Sequence, residues 1–470
     1  FLVTAEKQTD NRASPVLYSS GSSPDSLCFE GRTSPPHGRK SLGPALHAVV
    51  IPYPAQGHVT PHLQLARHLV RMHNFYITFV NTEDNHERMM EAQAEAGYNP
   101  ETNANINFVG LPDGLSKGDR KIPDIIRLLR AVLGMGPVIE EFLRNFIADV
   151  PITCVIRDVA MSCAHEPART LGISVVGFAT CAAVGAYCYQ NIKTIRYRGF
   201  IPIPAPLDPS NSLVNPLTGM MRLALTPEEE VARARQLTGF PGLSHAMRVE
   251  DLPTYLVTHD MSSFALKFFM EARNPLVPKC DWVLLNTFYE LEAASIDAVR
   301  SDGIDACPIG PLVLTPQRDR SLRWPPVAAL WIEDADSLLW LEEQPAKSVI
   351  YISFGSIVSI SLQQVQELAR GLEISGHPFM WVVRPDHAQK GEGNKEFMVF
   401  FAEFVERTRG RSLIVPWVPQ AKVLDHPATA AFLTHCGWNS TLESICAGVP
   451  ILAWPQNADQ NTNARYVTKV

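Results

Sequence analysis

The sequence predicts an α/β protein built from two doubly wound, Rossmann-like domains that face each other across a cleft. Three observations point there. The chain has 470 residues, about three times a common domain of roughly 150. Apolar residues make up 46% and charged residues 19%, the balance of a packed globular chain. From His47 onward, apolar β-rich runs alternate with helical periods, the pattern of parallel strands buried on both faces by crossover helices.

The first series opens with a strand at Ala48–Tyr53, a helix at Val59–Met72 and a strand at Tyr76–Asn81. It continues with a strand at Ile106–Val109, a long helical stretch from Pro123 to Phe146, and a strand at Thr153–Arg157. A strand at Ile173–Phe178, a turn and a small-residue helix follow, then a strand at Trp282–Asn286 and its helix. The second series begins with the strand Val349–Gly355 and a helix in which Leu362, Val365, Leu368 and Leu372 recur at helical spacing. Strands at Phe379–Val383, Leu413–Val415, Ala431–Thr434 and Ile451–Trp454 complete it, with helices at Phe397–Arg407 and Thr441–Cys446. The division expected is a disordered extension over 1–46, a first domain over 47–311, a Pro-rich and charged linker over 312–334, and a second domain over 335–470. The extension reads either as a remnant of a Ser- and Arg-rich transit peptide or as sequence foreign to the mature protein. The last residues, Ala464–Val470, read as a running helix, so the second domain reads as truncated.

Lys and Arg number 41 against 48 Asp and Glu, a net charge of −7, which fits neither disorder nor general nucleic-acid binding. Nine cysteines with no C-x-x-C spacing suit buried thiols in a reducing compartment, and the cytoplasm is the expected location. The run Thr170–Ile192 is long enough to span a bilayer, but Gly172, Gly177 and Gly185 divide it, so a buried strand-turn-helix is expected and no integral membrane segment. The sequon at Asn439 falls in a segment better suited to phosphate.

Ligands of doubly wound folds bind outside the carboxyl ends of the strands, so the residues there carry the chemistry. In the second domain, Phe432–Glu443 runs from a strand through Gly437 into a helix that opens with Asn439, Ser440 and Thr441. Its exposed N–H groups suit a phosphate, with His435 as a further donor. Ser440 and Glu443 also match an S-x-x-E capping box that needs no ligand, and spacing alone leaves both readings open. Trp417, Trp438 and Trp454 each fall at or beside a predicted strand end, where indoles pack in a core or stack on a base or sugar.

In the first domain, Pro54–His58 follows the first strand and places His58 at the start of a helix. Asp158 ends a strand at the same sheet edge, and an Asp that orients a histidine is a recurrent general-base arrangement. The simpler role for Asp158 is a helix cap. Asp334-Ala335-Asp336 has D-x-D spacing, but Asp336 more simply caps the next helix.

Trp417-Val-Pro-Gln420, His426, Phe432, His435–Ser440, Glu443, Gly448–Pro450, Trp454-Pro455 and Asp459-Gln460 closely resemble the donor signature of plant UDP-dependent glycosyltransferases, including its 44-residue span. The resemblance extends over nearly all of 47–470 and implies a GT-B type fold with its active site in the interdomain cleft. By position it implies Trp417 on uracil, Val418 and Gln420 on base and ribose, and Glu443 on the ribose hydroxyls. It further implies Ser356, His435, Asn439 and Ser440 on the diphosphate, with Gly437 in the same turn. Trp438, Asp459, Gln460 and Thr180 would surround the sugar. His58 would deprotonate the acceptor and Asp158 would partner it, with inversion at the anomeric carbon. Gln460 favours glucose.

No metal or other cofactor is implied, since the UDP-sugar is a co-substrate; the acceptor would be a small hydrophobic metabolite and the enzyme a monomer. Acceptor choice is expected from variable loops such as 199–225. Arg157 and Val159 depart from the smaller or uncharged neighbours usual around Asp158, but strand alternation should turn Arg157 to the opposite face. The alternative function is a UDP-sugar-binding protein without turnover. An oxidoreductase is disfavoured because no strand is followed by G-x-G-x-x-G.

Overall fold

A computed structural model describes residues 46–469 apart from 74, 96–104, 116–124, 150, 205–225, 245, 259, 261, 263, 269–279, 315–329, 332, 335, 357–359 and 384–392. The expected disordered extension, most of the linker and most of the acceptor loop 199–225 lie outside the described residues.

The first domain carries β1 (His47–Ile51), α1 (Gln56–His73), β2 (Tyr76–Thr82), α2 (Glu83–Glu95), β3 (Ile106–Leu111), α3 (Ile125–Gly134), α4 (Gly136–Asp149) and β4 (Cys154–Asp158). It goes on with α5 (His165–Thr170), β5 (Ser174–Ala179), α6 (Ala183–Gln190), α7 (Ile192–Tyr197), α8 (Pro227–Ala234), α9 (Phe264–Lys267), β6 (Trp282–Leu285), α10 (Tyr289–Ser301) and β7 (Ala306–Pro308). The second holds α11 (Ser337–Glu342), β8 (Val349–Ser353), α12 (Leu362–Ser375), β9 (Phe379–Val382), α13 (Gly393–Arg407) and β10 (Ser412–Val415). After these come α14 (Gln420–Asp425), β11 (Thr429–Thr434), α15 (Trp438–Ala447), β12 (Ile451–Ala453) and α16 (Gln460–Lys469).

Both sheets are parallel throughout, in the orders β3-β2-β1-β4-β5-β6-β7 and β10-β9-β8-β11-β12. Each order reverses direction once, between β1 and β4 in the first domain and between β8 and β11 in the second. Such switch points are where open α/β sheets leave a crevice.

Strand alternation sets the two faces of the first sheet. Val49, Ile51 and Val155 enter one core, while Ala48, Val50, Ile156 and Phe178 enter the other beneath Val59, Leu63 and Ala66 of α1. Asp158 follows the parity of Ile156 toward α1. Arg157 turns to the opposite face, as expected, where it donates to the carbonyls of Asp158 and Val159 and to Cys280 Sγ. The first domain's larger core also takes in Trp438, Leu442 and Tyr466 from α15 and α16, so the two sheets are joined by shared apolar packing.

Several expectations need correction. The helical stretch expected over 123–146 is two helices that part at Met135, between Gly134 and Gly136. The capping box is not formed: Gly437 is the N-cap of α15 and no side chain caps that helix. Asp336 stands at the N-cap of α11 in a helical conformation without a side-chain bond. Among the described residues no cluster of three or more His, Cys, Asp or Glu side chains could hold an ion. No helix of the described residues is long and apolar enough to cross a membrane.

Candidate active site

His58 lies in the first turn of α1, directly after the carboxyl end of β1, and Asp158 is the last residue of the adjacent strand β4. The switch point thus brings together two residues 100 apart in sequence. His58 Nδ1 is 2.7 Å from Asp158 Oδ2 and 2.9 Å from Thr180 Oγ1. With a carboxylate as its nearest partner, Nδ1 carries the proton and donates it, which leaves Nε2 as the basic nitrogen. The His58 side chain is 26% exposed, whereas that of Asp158 is fully buried. Asp158 Oδ1 accepts from the Ala160 N–H at 2.7 Å, which closes a tight turn and does not cap a helix, since the helical segments that follow have no side-chain cap. Burial alone would raise the Asp158 carboxyl. His58, through charge and hydrogen bond, with His62 and the Ala160 N–H, instead holds it well below the usual carboxylate range.

Across the cleft, the switch point of the second sheet places the turn after β8, which holds Gly355 and Ser356, beside the turn after β11, which holds His435 and Gly437. A Cβ on Gly355 would lie 2.7 Å from the His435 ring, and one on Gly437 2.6 Å from it. Gly355 also has φ +71°, a conformation that favours glycine. The two glycines therefore let the imidazole lie flat against the backbone. Cys436 adopts the left-handed region at φ 62°, and its carbonyl accepts from Asn463 Nδ2 at 3.0 Å. The chain then enters α15, whose first-turn N–H groups have no side-chain acceptor and present the positive end of the helix dipole.

Gln420, at the start of α14, is the hub of a polar network. Its Nε2 donates to Glu443 Oε2 at 2.6 Å and to Ser440 Oγ at 3.0 Å, and its Oε1 accepts from Tyr351 Oη at 3.0 Å. Burial pushes the Glu443 carboxyl up to about 7, partly offset by the Gln420 bond. Next to Gln420, Val418 is buried and Trp417 stacks on Trp331 with ring centroids 5.9 Å apart. Trp454 packs edge-on against Phe354.

Two residues of α15 hydrogen-bond to the first domain. Trp438 Nε1 donates to the Asn286 carbonyl at 2.8 Å, and Asn439 Nδ2 donates to the Gly57 carbonyl at 2.7 Å. Thr180 precedes α6, where the buried Glu292 accepts from the N–H groups of Ala183 and Val184. Asp459 packs against Gly185 of α6 and accepts from Asn463 Nδ2. Gln460 is turned inward: its Oε1 accepts from the N–H groups of Gln456 and Asn457, and its Nε2 donates to Asn457 Oδ1. In this structure Gln460 therefore holds the turn that carries Asp459. Sequence reading missed His62, Glu292 and Asn286. Only His62 carried a signal, its place one helical turn after His58.

Two facing Rossmann-like domains, with a buried carboxylate–imidazole pair on one side and an uncapped helix start on the other, define a nucleotide-sugar transferase architecture. The chain belongs to the UDP-glucoronosyl and UDP-glucosyl transferase family, whose model matches residues 333–470. Linamarin synthase 1 of Manihot esculenta is 35% identical over 90% of this chain and 83% of its own length. The (R)-mandelonitrile beta-glucosyltransferase of Prunus dulcis is 33% identical over 89% of this chain and 83% of its own. Os79 of O. sativa, solved in complex with UDP, superposes with a TM-score of 0.69 at 27% identity, covering 90% of this chain and 84% of that one.

Proposed function

We propose that the protein transfers glucose from UDP-glucose to a hydroxyl of a small hydrophobic acceptor, with inversion at the anomeric carbon. His58 Nε2 takes the acceptor's proton as its oxygen attacks C1 of the sugar. The new C1–O bond forms as the C1–O bond to the diphosphate breaks, and the electron pair leaves with UDP. Asp158 stays ionised and stabilises the imidazolium. The departing charge falls to the N–H groups opening α15, to His435 and to Ser356, Asn439 and Ser440 beside them. Uracil stacks on Trp417, with Val418 and Gln420 at the base and Glu443 at the ribose. Trp438, Asp459 and Thr180 surround the sugar, and Gln460 sets the position of Asp459. The reaction uses no resident metal ion, and the enzyme works as a cytoplasmic monomer.

The observation that carries this reading is the 2.7 Å contact between His58 Nδ1 and a fully buried Asp158, the arrangement of an oriented general base. The names of the relatives, glucosyltransferases of a cyanohydrin and of 7-deoxyloganetin among them, support glucose as the donor sugar and a small acceptor. The test is product formation by mass spectrometry with UDP-glucose and a panel of phenols, terpenols and cyanohydrins. A gain of one hexose that persists in EDTA is expected. Intact UDP binding with no transfer to any acceptor class would favour a binding protein instead.

A further inference from the structure

We infer that His62 is a positioning residue, which holds the Asp158 carboxylate in line for His58; this rests on the reading of His58 as the base. His62 is fully buried on α1, one turn beyond His58. Its Nδ1 lies 2.8 Å from the His58 carbonyl and 3.8 Å from Asp158 Oδ2. A carbonyl only accepts, so Nδ1 carries the proton, and this N–H group lies within 4 Å of the carboxylate. Asp158 Oδ2 is thus flanked by two imidazole N–H groups, one bonded directly and one through space.

The other edge of the ring shows that the residue is not there to fill the core. His62 Nε2 is buried and has no hydrogen-bond partner, a cost that an apolar side chain of the same size would avoid. The ring packs edge-on against Phe178 with centroids 4.7 Å apart. Burial pushes the imidazole down to about 4 against the pull of Asp158, so near neutral pH the group is an uncharged donor. A neutral dipole steadies the carboxylate without competing with His58 for the ion pair.

The test compares His62→Met with His62→Asn in the full chain. Methionine fills the volume without a donor, whereas the asparagine amide nitrogen stands close to the place of Nδ1. We expect His62→Met to lose roughly tenfold in kcat, the scale of one modest interaction, with KM for UDP-glucose and UDP affinity unchanged. His62→Asn should keep most of kcat despite lower thermal stability. Should His62→Met match the parent, or His62→Asn fall below His62→Met, the ring is only core packing and the inference fails. A long-range proton–nitrogen NMR correlation that found His62 charged, or protonated on Nε2, would also overturn it without any variant. His58→Ala is the control: undiminished transfer there would remove the base assignment itself, whereas its loss beside a fully active His62→Met would remove only the role of His62.

Discussion

The side-chain amide of Asn439 donates to the carbonyl of Gly57 at 2.7 Å, across 382 residues of sequence. The reason lies at Pro61, inside α1. In an uninterrupted helix the N–H of residue 61 would bond the carbonyl of residue 57, but proline has no N–H to give. The carbonyl that it leaves open is taken by the opposite domain, one residue from His58.

Asn439 therefore joins the domains at the point where the diphosphate is proposed to sit. Asn439→Asp should raise KM for UDP-glucose by about tenfold or more, because a carboxylate repels both the Gly57 carbonyl and the phosphates. Asn439→Ala should have a smaller effect. Steady-state kinetics at fixed acceptor checks the ranking, and an aspartate variant with unchanged KM would contradict it.

Asp158→Asn should keep the fold and UDP affinity while kcat falls by about 10³–10⁴-fold, since an amide cannot stabilise the imidazolium and permits the wrong tautomer. Pre-steady-state measurement of glucose transfer, alongside UDP titration, separates the chemical step from binding.

Glu443 gives a pH signature. Its carboxyl sits at about 7 against a usual 4.5, so between these values the ligand-free protein holds it largely protonated. Ribose hydroxyls donate to the ionised form, so UDP binding should release up to about one proton near pH 6. UDP affinity should weaken as pH falls through 7. The stability effect has the opposite sign: the raised carboxyl favours the folded state below 4.5, and this contribution is lost as pH rises through about 7. Calorimetry in buffers of different ionisation heat measures the proton count, and Glu443→Gln should abolish the release.

Gly437→Ala would place a Cβ 2.6 Å from His435 Nε2, a separation that the ring must move to relieve. Loss of UDP binding with only a modest drop in thermal stability is expected, and unchanged affinity would mean that His435 takes no part in holding the diphosphate.

The last helix is anchored on the first domain. Tyr466 Oη donates to the Leu291 carbonyl at 2.6 Å, Arg465 Nη2 donates to the Ala246 carbonyl at 2.6 Å, and Thr462 Oγ1 donates to that of Asp251 at 2.7 Å. Tyr466→Phe should cost about 1 kcal/mol, the net worth of one hydrogen bond, readable as a fall in Tm of a few degrees.

The two sheets were legible because their strands are short, continuous apolar runs, and each strand end could be placed within a few residues. Elements without that signal were missed. Helix α2 buries the polar Asn85 and Gln93 beside Met89, so it shows little apolar period, and β7 is only three residues long. The partition of α3 and α4 at Met135 depends on flanking glycines, which periodicity passes over. Within the site, His58, Asp158 and His435 were readable as residues at strand ends. Their long-range partners were not: Trp438 meets Asn286 at a separation of 152 residues, and no local pattern encodes that pairing. Gln460 was legible as a residue but not as a contact, because only the fold shows its amide turned into its own loop.

The role of His58 as the base of a glucosyl transfer is tested by the rate of transfer by His58→Ala beside its affinity for UDP. A loss of several orders of magnitude in transfer with nearly unchanged UDP binding is expected. Transfer at the parent rate would contradict it.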